Sequence, residues 1–234
     1  MRDKPLPTVG ATELNLEKIV SLKPDLILGI NSYIDETGYR DLSSIAPTVA
    51  EPAGVLPGAT TSEEQTRITG KALGREDRAQ ELVAQTRQLF DDAIREHPEF
   101  AGKSARFLLG LSRTGDLRIS PGVDDYRSRW LTELGFQVPA RSEQISFELI
   151  DRLEADVLVA EGVDPDSFAS PLVQQMPAVR EGRFLNMGGF DQDFAGAWGF
   201  NSPPSIPFLL ETAVPRLAAA LDGDPATTPE PFGN

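Results

Sequence analysis

An internal repeat constrains the fold of this 234-residue chain more than any other feature. Residues 15–29 (NLEKIVSLKPDLILG) align without a gap with residues 146–160 (SFELIDRLEADVLVA). Each copy predicts a short helix, a two-residue joint and a buried strand, with Asn15 and Ser146 as the N-caps of the helices. A chain that carries this unit twice is expected to fold as two lobes built on one plan.

The longest helical signal lies between the two copies of the repeat. It covers residues 62–96 with a break at Gly74, and apolar side chains recur at helical spacing on one face. A helix of more than twenty residues spans about 30 Å, the width of a small domain. The sequence therefore predicts an N-terminal lobe over 1–74, a connecting helix over 75–98, a C-terminal lobe over 99–221 and a disordered tail over 222–234.

Short apolar runs and helical patterns alternate through both predicted lobes, as in parallel α/β sheets. The predicted strands cover residues 25–29, 47–50, 106–111, 117–120, 136–139, 156–160 and 183–187. The other predicted helices cover residues 16–22, 36–45, 125–134, 146–153, 168–176 and 204–221. We therefore expect an α/β fold of two Rossmann-like lobes joined by one long helix.

The composition excludes several kinds of protein. The chain has 36 acidic and 22 basic residues, and its net charge of −14 argues against binding to nucleic-acid phosphates. It has no cysteine and a single histidine, His97, which excludes thiolate and multi-histidine metal sites. No acid–base pair stands out and no apolar run is long enough to span a bilayer. We expect no catalytic residues, no cofactor and no metal site of its own.

Glu17 and Glu148 occupy the same position in the two copies of the repeat. Each follows its predicted N-cap by two residues, in the first helical turn, where side chains tend to be exposed. The residues alone leave two interpretations open. Each carboxylate can simply stabilise its helix dipole, by roughly 0.3–1 kcal/mol. Alternatively, each lobe presents one carboxylate to arginines of a two-fold-related partner.

Several segments resemble the iron-siderophore substrate-binding proteins of ABC transporters. These are the class III binding proteins, which include ferrichrome- and cobalamin-binding members, and the resemblance is strongest to actinobacterial ferric-siderophore lipoproteins. It covers nearly the whole chain in the same order. The segments are 15–29, 42–49 (LSSIAPTV), 68–74 (ITGKALG), 130–136 (WLTELGF), 177–183 (PAVREGR) and 202–206 (SPPSI).

The resemblance implies a fold and a role. The family fold is two α/β lobes joined by a long rigid helix, with a metal chelate held in an interlobe cleft. The implied ligand is an iron(III)–siderophore complex, and the implied partner is a two-subunit ABC permease whose arginines pair with Glu17 and Glu148. The implied location is outside the cytoplasmic membrane, in the periplasm or as an anchored lipoprotein.

The chain departs from the family pattern at its start. Family members begin with a signal or a lipobox cysteine, then a strand–helix–strand unit, before the region that matches residue 8 onward. No such unit and no signal peptide are recognisable here. We therefore expect a truncated first lobe whose sheet has an exposed edge, and such an edge promotes self-association.

Candidate ligand-binding residues are sought in the loops beyond the carboxyl ends of the strands, where α/β folds bind their ligands. These loops cover residues 30–40, 112–127, 161–166 and 188–201. Aromatic faces and guanidinium groups suit a large anionic chelate. The candidates are Tyr33, Arg40, Arg113, Tyr126, Phe190 and Trp198. The alternative for each is a surface or rim residue and, for Trp198, a core anchor.

Two other functions stay open at this point. One is a cobalamin or haem carrier of the same class. The other is a truncated paralogue that has lost transport and serves as an interaction protein.

Overall fold

A computed structural model describes residues 8–9, 14–114, 118–224 and 226–232 of the chain. The chain divides into two compact units, of which the first ends at Thr60 and the second begins at Thr61. Within the described ranges, every helix is too short or too polar to cross a membrane.

The first unit alternates helices and short strands. Its elements are α1 (Leu16–Leu22), β1 (Ile27–Leu28), α2 (Glu36–Ile45) and β2 (Thr48–Val49). The two strands pair in parallel, with Ile27 opposite Thr48 and Leu28 opposite Val49. The side chain of Asn15 accepts a hydrogen bond from the Lys18 N–H at 2.9 Å, which confirms Asn15 as an N-cap.

The strand β1 differs from the buried strand predicted over 25–29. It has two residues, and Leu28 is 46% exposed. A parallel strand is buried on both sides only where other layers cover both faces of its sheet. The sheet of the first unit has two strands within the described residues, which leaves Leu28 uncovered. The apolar run over 25–29 therefore correctly predicted a strand, whereas its predicted burial is wrong at Leu28.

The second unit begins with a helical hairpin, α3 (Ser62–Ala72) and α4 (Glu76–Glu96), which confirms the predicted helical region and its break at Gly74. Thr61 and Glu64 form a capping box at the start of α3. Gly74 has a φ of 62°, a left-handed conformation that glycine adopts without strain. The buried side of α4 carries Ala79, Val83, Phe90 and Ala93.

A five-stranded mixed sheet forms the centre of the second unit within its described residues. The strands are β3 (Ala105–Leu109), β4 (Ile119–Ser120), β5 (Glu143–Gln144), β6 (Val157–Glu161) and β7 (Phe184–Asn186), in the order β5-β4-β3-β6-β7. The parallel pairs β3–β6 and β6–β7 form the middle, and the short strands β4 and β5 add antiparallel pairs at one side. Every residue of β6 is buried.

Helices cover both faces of this sheet. They are α5 (Arg129–Glu133), α6 (Pro165–Phe168), α7 (Pro171–Gln174), α8 (Pro177–Arg180), α9 (Asp193–Phe200) and α10 (Ile206–Ala220). One core includes Phe107, Val159 and Trp198, and the core on the opposite face includes Leu108 and Leu158. Successive strand residues point to opposite faces, so β3 and β6 contribute to both cores.

The second copy of the repeat is a 3₁₀ helix over Phe147–Arg152, where an α-helix is predicted over 146–153. Phe147, Ile150 and Leu153 are all buried, and residues three apart lie in one row on a 3₁₀ helix. Packing of this row against the core selects the tighter helix. Ser146 occupies the predicted N-cap position, but its side chain makes no cap bond.

Between β4 and β6, one prediction is confirmed in extent and another is wrong. The helix predicted over 125–134 is helical over 126–133, with a 3₁₀ turn at Tyr126–Ser128 followed by α5. The strand predicted over 136–139 is reduced to an isolated parallel bridge between Gln137 and Ser104. Of the strand predicted over 117–120, the last two residues form β4, and Leu117 lies outside the described residues.

The described part of the predicted disordered tail packs on the second unit. The Phe232 ring lies 5.9 Å from that of Phe194 and 6.1 Å from that of Phe208. The backbone N–H of Phe232 donates to the Asn186 carbonyl at 2.9 Å. One aromatic residue therefore docks a segment whose proline- and glycine-rich composition predicts disorder.

The joint before β6 is fastened to the start of β3 by reciprocal hydrogen bonds. The Ser104 hydroxyl donates to the Asp156 carboxylate at 2.7 Å and accepts from the Asp156 backbone N–H at 2.8 Å. The Ser104 N–H donates to the same carboxylate at 2.7 Å. These hydrogen bonds, first of all the one from the hydroxyl, lower the pKa of Asp156.

We expect Ser104→Ala to lower the free energy of unfolding by about 1 kcal/mol at pH 7, because it removes the hydroxyl's hydrogen bonds with the carboxylate and the N–H of the partly exposed Asp156. The pKa of Asp156 is lowered on folding, so its contribution is present above the usual value of 3.8 and is lost as the pH falls below it. Urea unfolding between pH 3 and pH 7 measures the difference between the two proteins, which should shrink at the acid end.

Ser146→Ala is the matched control, because Ser146 makes no cap bond. It should unfold like the unmodified protein at every pH. A loss of stability in Ser104→Ala that stays constant down to pH 3 would contradict the role given to the Asp156 carboxylate.

Candidate functional site

The segments that follow β3, β6 and β7 are joined into one platform at the carboxyl edge of the sheet. The Gly110 N–H donates to the Glu161 carbonyl at 2.8 Å, and the Gly162 N–H donates to the Gly188 carbonyl at 2.8 Å. The Asp164 N–H donates to the Leu111 carbonyl at 2.9 Å. Parallel strands end at a common edge, and that edge is where α/β folds bind their ligands.

Phe190 lies on this platform with its ring against Gly162. Gly162 has a φ of 67°, and a Cβ atom built there would lie 2.3 Å from Cε2 of Phe190. The absence of a side chain at Gly162 therefore lets the ring rest on the backbone. Phe190 is 49% exposed, so much of its surface stays open to a ligand.

Arg113 follows β3 on the same platform and is exposed. Its backbone N–H donates to the Ser167 hydroxyl at 2.9 Å, and Asp164 in turn accepts from Ser167. Its guanidinium carbon lies 5.8 Å from the ring centroid of Phe147. Within the described residues the guanidinium forms no ion pair, so its charge is available to an anion.

Tyr126 and Trp198 are held in the fold instead of lying open on the platform. The Tyr126 hydroxyl donates to the Gly199 carbonyl of α9 at 2.7 Å. Trp198 is 4% exposed, and its ring meets the edge of Phe107 with centroids 4.8 Å apart. Trp198 is thus a core anchor, the alternative interpretation of the sequence, and offers no open face for stacking.

Glu161 is a site residue that the sequence analysis did not single out. It ends β6 and is fully buried, and within the described residues neither of its carboxylate oxygens has a hydrogen-bond partner. Burial raises its pKa to about 8, while the nearby Trp198 indole lowers it. The indole N–H also lacks a partner of good hydrogen-bond geometry, so the two groups are neighbours without a well-formed bond. The sequence signal that could have identified Glu161 is its position directly after the apolar run 157–160.

Two ligand candidates lie in the first unit. Tyr33 follows β1 with a φ of 55°, is 53% exposed, and its hydroxyl lies against Gly58. The Asn31 side chain ties this loop to the backbone of Thr60 with bonds of 2.8 and 3.2 Å. Arg40 is exposed on α2, where its guanidinium donates to the Thr37 hydroxyl at 3.2 Å.

Glu17 and Glu148 have similar local settings in the two units. Glu17 lies in the first turn of α1 and Glu148 in the first turn of the 3₁₀ helix over Phe147–Arg152. Both side chains are exposed, and within the described residues neither carboxylate forms an ion pair. The carboxylates are therefore free to meet a cation from outside the chain.

A separate pocket of about 330 Å³ lies between α3 and α4, away from the platform. Its wall includes Glu63, Arg87, Phe90, Asp91 and Glu133. Glu63 is neutralised by Arg67 and Arg87, at 2.8 and 2.5 Å.

Desolvation raises the pKa of Glu133 to about 7; Arg129 opposes the shift and Glu63 adds to it. However, Glu133 is an exposed residue, and this exposure argues that water still stabilises the ionised form. None of the predicted ligand-binding residues lines this pocket.

Sequence comparisons place the chain among binding proteins. A family model described as "Periplasmic binding protein" matches residues 2–189. The Fe(3+)-citrate-binding protein YfmC of Bacillus subtilis is 26% identical over 181 residues, 74% of this chain and 56% of that protein. The probable siderophore-binding lipoprotein YfiY of the same organism is 31% identical over 63% of this chain and 47% of its own length. The chain thus spans about half the length of the curated relatives it matches.

Solved structures share the fold. The iron uptake ABC transporter substrate-binding protein PiaA of Streptococcus pneumoniae is 27% identical, with a TM-score of 0.74 over 90% of this chain and 76% of that chain. A periplasmic solute binding protein of Mycobacterium smegmatis is 30% identical, with a TM-score of 0.70 over 90% and 74%. The α/β architecture is confirmed by these neighbours, and the family model covers most of the sequence. The chain therefore belongs to the periplasmic binding protein family.

Proposed function

We propose that this protein captures a ferric siderophore or a similar iron chelate outside the cytoplasmic membrane and delivers it to an ABC importer. The relatives support this role. One is named for Fe(3+)-citrate binding, and PiaA, which is 27% identical, has been solved in complex with ferrichrome. Because the chain spans about half of its curated relatives, the ligand and the permease are assigned here as proposals.

The observation that carries the proposal is the platform at the carboxyl edge of the second unit. It offers the half-exposed ring of Phe190 and the exposed guanidinium of Arg113, which contacts the Phe147 ring and forms no ion pair within the described residues. A ring can stack on the organic body of a chelate, and a guanidinium can pair with carboxylate or catecholate oxygens. Tyr33 and Arg40 supply the same two kinds of group in the first unit, and we include them in the ligand-binding set.

We expect Arg113→Ala to weaken the binding of ferric citrate by about tenfold to a hundredfold, the loss of one hydrogen bond to a charged group. Ferrichrome carries no net charge, so its affinity should change much less. Titration calorimetry with both chelates measures the difference. Arg95→Ala is the matched control, because Arg95 is exposed on α4 and paired with Asp92, and it should bind both chelates normally.

Failure of the unmodified protein to bind ferrichrome, ferric citrate and a ferric catecholate would contradict the proposed ligand class. Cobalamin and haem belong in the same titration series. Tight binding of either one, without binding of an iron chelate, would replace the siderophore by that ligand.

We also propose that Glu17 and Glu148 dock the protein on the permease. Both carboxylates are exposed, lie in the first turn of equivalent helical segments and have no ion-pair partner within the described residues. An isolated surface carboxylate costs little to keep in water and gains more when an arginine approaches in a partly desolvated interface.

We expect the double variant Glu17→Ala, Glu148→Ala to lose most of its ability to support iron uptake while it binds the chelate normally. Uptake of radioactive iron as ferrichrome by source cells that lack their own copy of the protein measures transport, and calorimetry measures binding. The matched control is Glu36→Ala with Asp166→Ala, which removes exposed carboxylates from the first turns of α2 and α6.

Normal uptake by the Glu17, Glu148 double variant would contradict the docking role and leave only the helix-dipole interpretation. Equal losses in the two double variants would point to net charge instead of position.

A further inference from the structure

Within the described residues, the buried carboxyl of Glu161 has no counter-charge and no well-formed hydrogen bond. It is fully buried at the end of the interior strand β6, opposite Leu109 of β3. Its backbone is fixed, because the Glu161 carbonyl accepts from the Gly110 N–H at 2.8 Å. An ionised carboxylate without a partner is very unfavourable in an apolar site, so this site tolerates the neutral acid and disfavours the anion.

The neighbours of Glu161 supply no charge that would stabilise the anion. The charged residue of β3, Arg106, pairs with Glu143 on the other face, and β7 carries none. Asp193 of α9 is exposed, and on α10 Glu211 is exposed and Arg216 binds the Glu230 and Thr212 carbonyls. Burial raises the pKa of Glu161, and the Trp198 indole partly opposes this rise.

The helix α9 is less constrained than the strands, although its Gly199 carbonyl accepts a hydrogen bond from the Tyr126 hydroxyl at 2.7 Å. The strands β3 and β6 are locked together over five paired positions. By contrast, α9 has eight residues, begins without a side-chain cap bond at Gln192, and contains Gly196 and Gly199 with open space around them. Its Trp198 ring is held by apolar contact with Phe107 and no hydrogen bond to the indole N–H.

We propose that Glu161 is a positioning residue whose neutral carboxyl keeps Trp198 and α9 packed against the sheet. When Glu161 ionises, water enters the site and Trp198 leaves its packed position, which we call unseating of the ring. The loop before α9 carries Phe190, whose ring rests on Gly162 beside Glu161. Movement of α9 therefore changes the position of Phe190 as well. The effect on a chelate rests on the proposed function, whereas the movement of Trp198 does not.

The test follows Trp198 in the protein without any ligand. The chain has two tryptophans, so Trp130→Phe leaves Trp198 as the single reporter. Quenching of its fluorescence by acrylamide should rise several-fold between pH 6 and pH 9.5, with a midpoint near the pKa of about 8. With Glu161→Gln added, a neutral group of the same shape, quenching should stay low throughout. Asp193→Asn, on the exposed side of α9, should leave the rise unchanged.

Two outcomes would overturn the proposal. Quenching that does not change with pH in Trp130→Phe would mean that Glu161 does not unseat the ring. An equal rise with and without Glu161→Gln would assign the change to another group, and circular dichroism would show whether that change is unfolding. If Trp130→Phe does not fold, ¹⁹F NMR of the chain labelled with 5-fluorotryptophan gives one signal for each tryptophan, and the same comparison applies with Glu161→Gln alone.

A second measurement addresses the ligand. Ferrichrome should bind more weakly at pH 9.5 than at pH 6 to the unmodified protein and equally at both to Glu161→Gln. Equal affinity at both pH values in the unmodified protein would contradict the link between Glu161 and Phe190. Absence of ferrichrome binding at either pH would count against the proposed function, while the quenching experiment would still decide the role of Glu161.

Discussion

The parallel pairing of β3 with β6 is the interaction on which the second unit depends. Five consecutive residue pairs join the two strands, from Ala105 with Val157 to Leu109 with Glu161. The side chains of β6 alternate between two separate cores, and every one of them is buried. Because parallel strands need both faces covered, this pairing also requires the helices that pack above and below it.

The same pairing determines where chemistry can occur. It brings the ends of β3, β6 and β7 to one edge, where backbone bonds between the following segments build the platform for Arg113 and Phe190. The opposite edge is closed by Ser104 and Asp156, whose hydrogen bonds are mutually satisfied. Hydrogen bonds between Ser104 and Asp156 therefore hold one edge of the sheet together. At the carboxyl edge, the Glu161 carboxyl has no hydrogen-bond partner among the described residues. A buried carboxyl without a hydrogen bond, such as that of Glu161, needs an explanation. The explanation we propose is that it keeps α9 packed against the sheet.

The internal repeat shows which structural features a local sequence pattern can predict and which it cannot. In both copies the sequence correctly predicts a helical segment followed by a strand, because apolar spacing and strand composition are local properties. It does not predict that the first copy makes an α-helix and the second a 3₁₀ helix. That difference depends on the buried row of Phe147, Ile150 and Leu153, which packs on residues far away in the chain. Burial differs for the same reason: Val159 is buried in a core, while Leu28 is half exposed in a two-stranded sheet of the described residues.

The sequence alone determined the alternation of helices and strands, the break at Gly74, the cap at Asn15, and the equivalent positions of Glu17 and Glu148. These features follow from residue types within a few positions of one another. The tertiary structure alone decided that Trp198 is a core residue, that Phe232 docks the tail, and that Glu161 is buried with no hydrogen-bond partner among the described residues. Each of these depends on which distant side chains surround the residue, and burial, desolvation and close packing are properties of that surrounding and not of the local sequence.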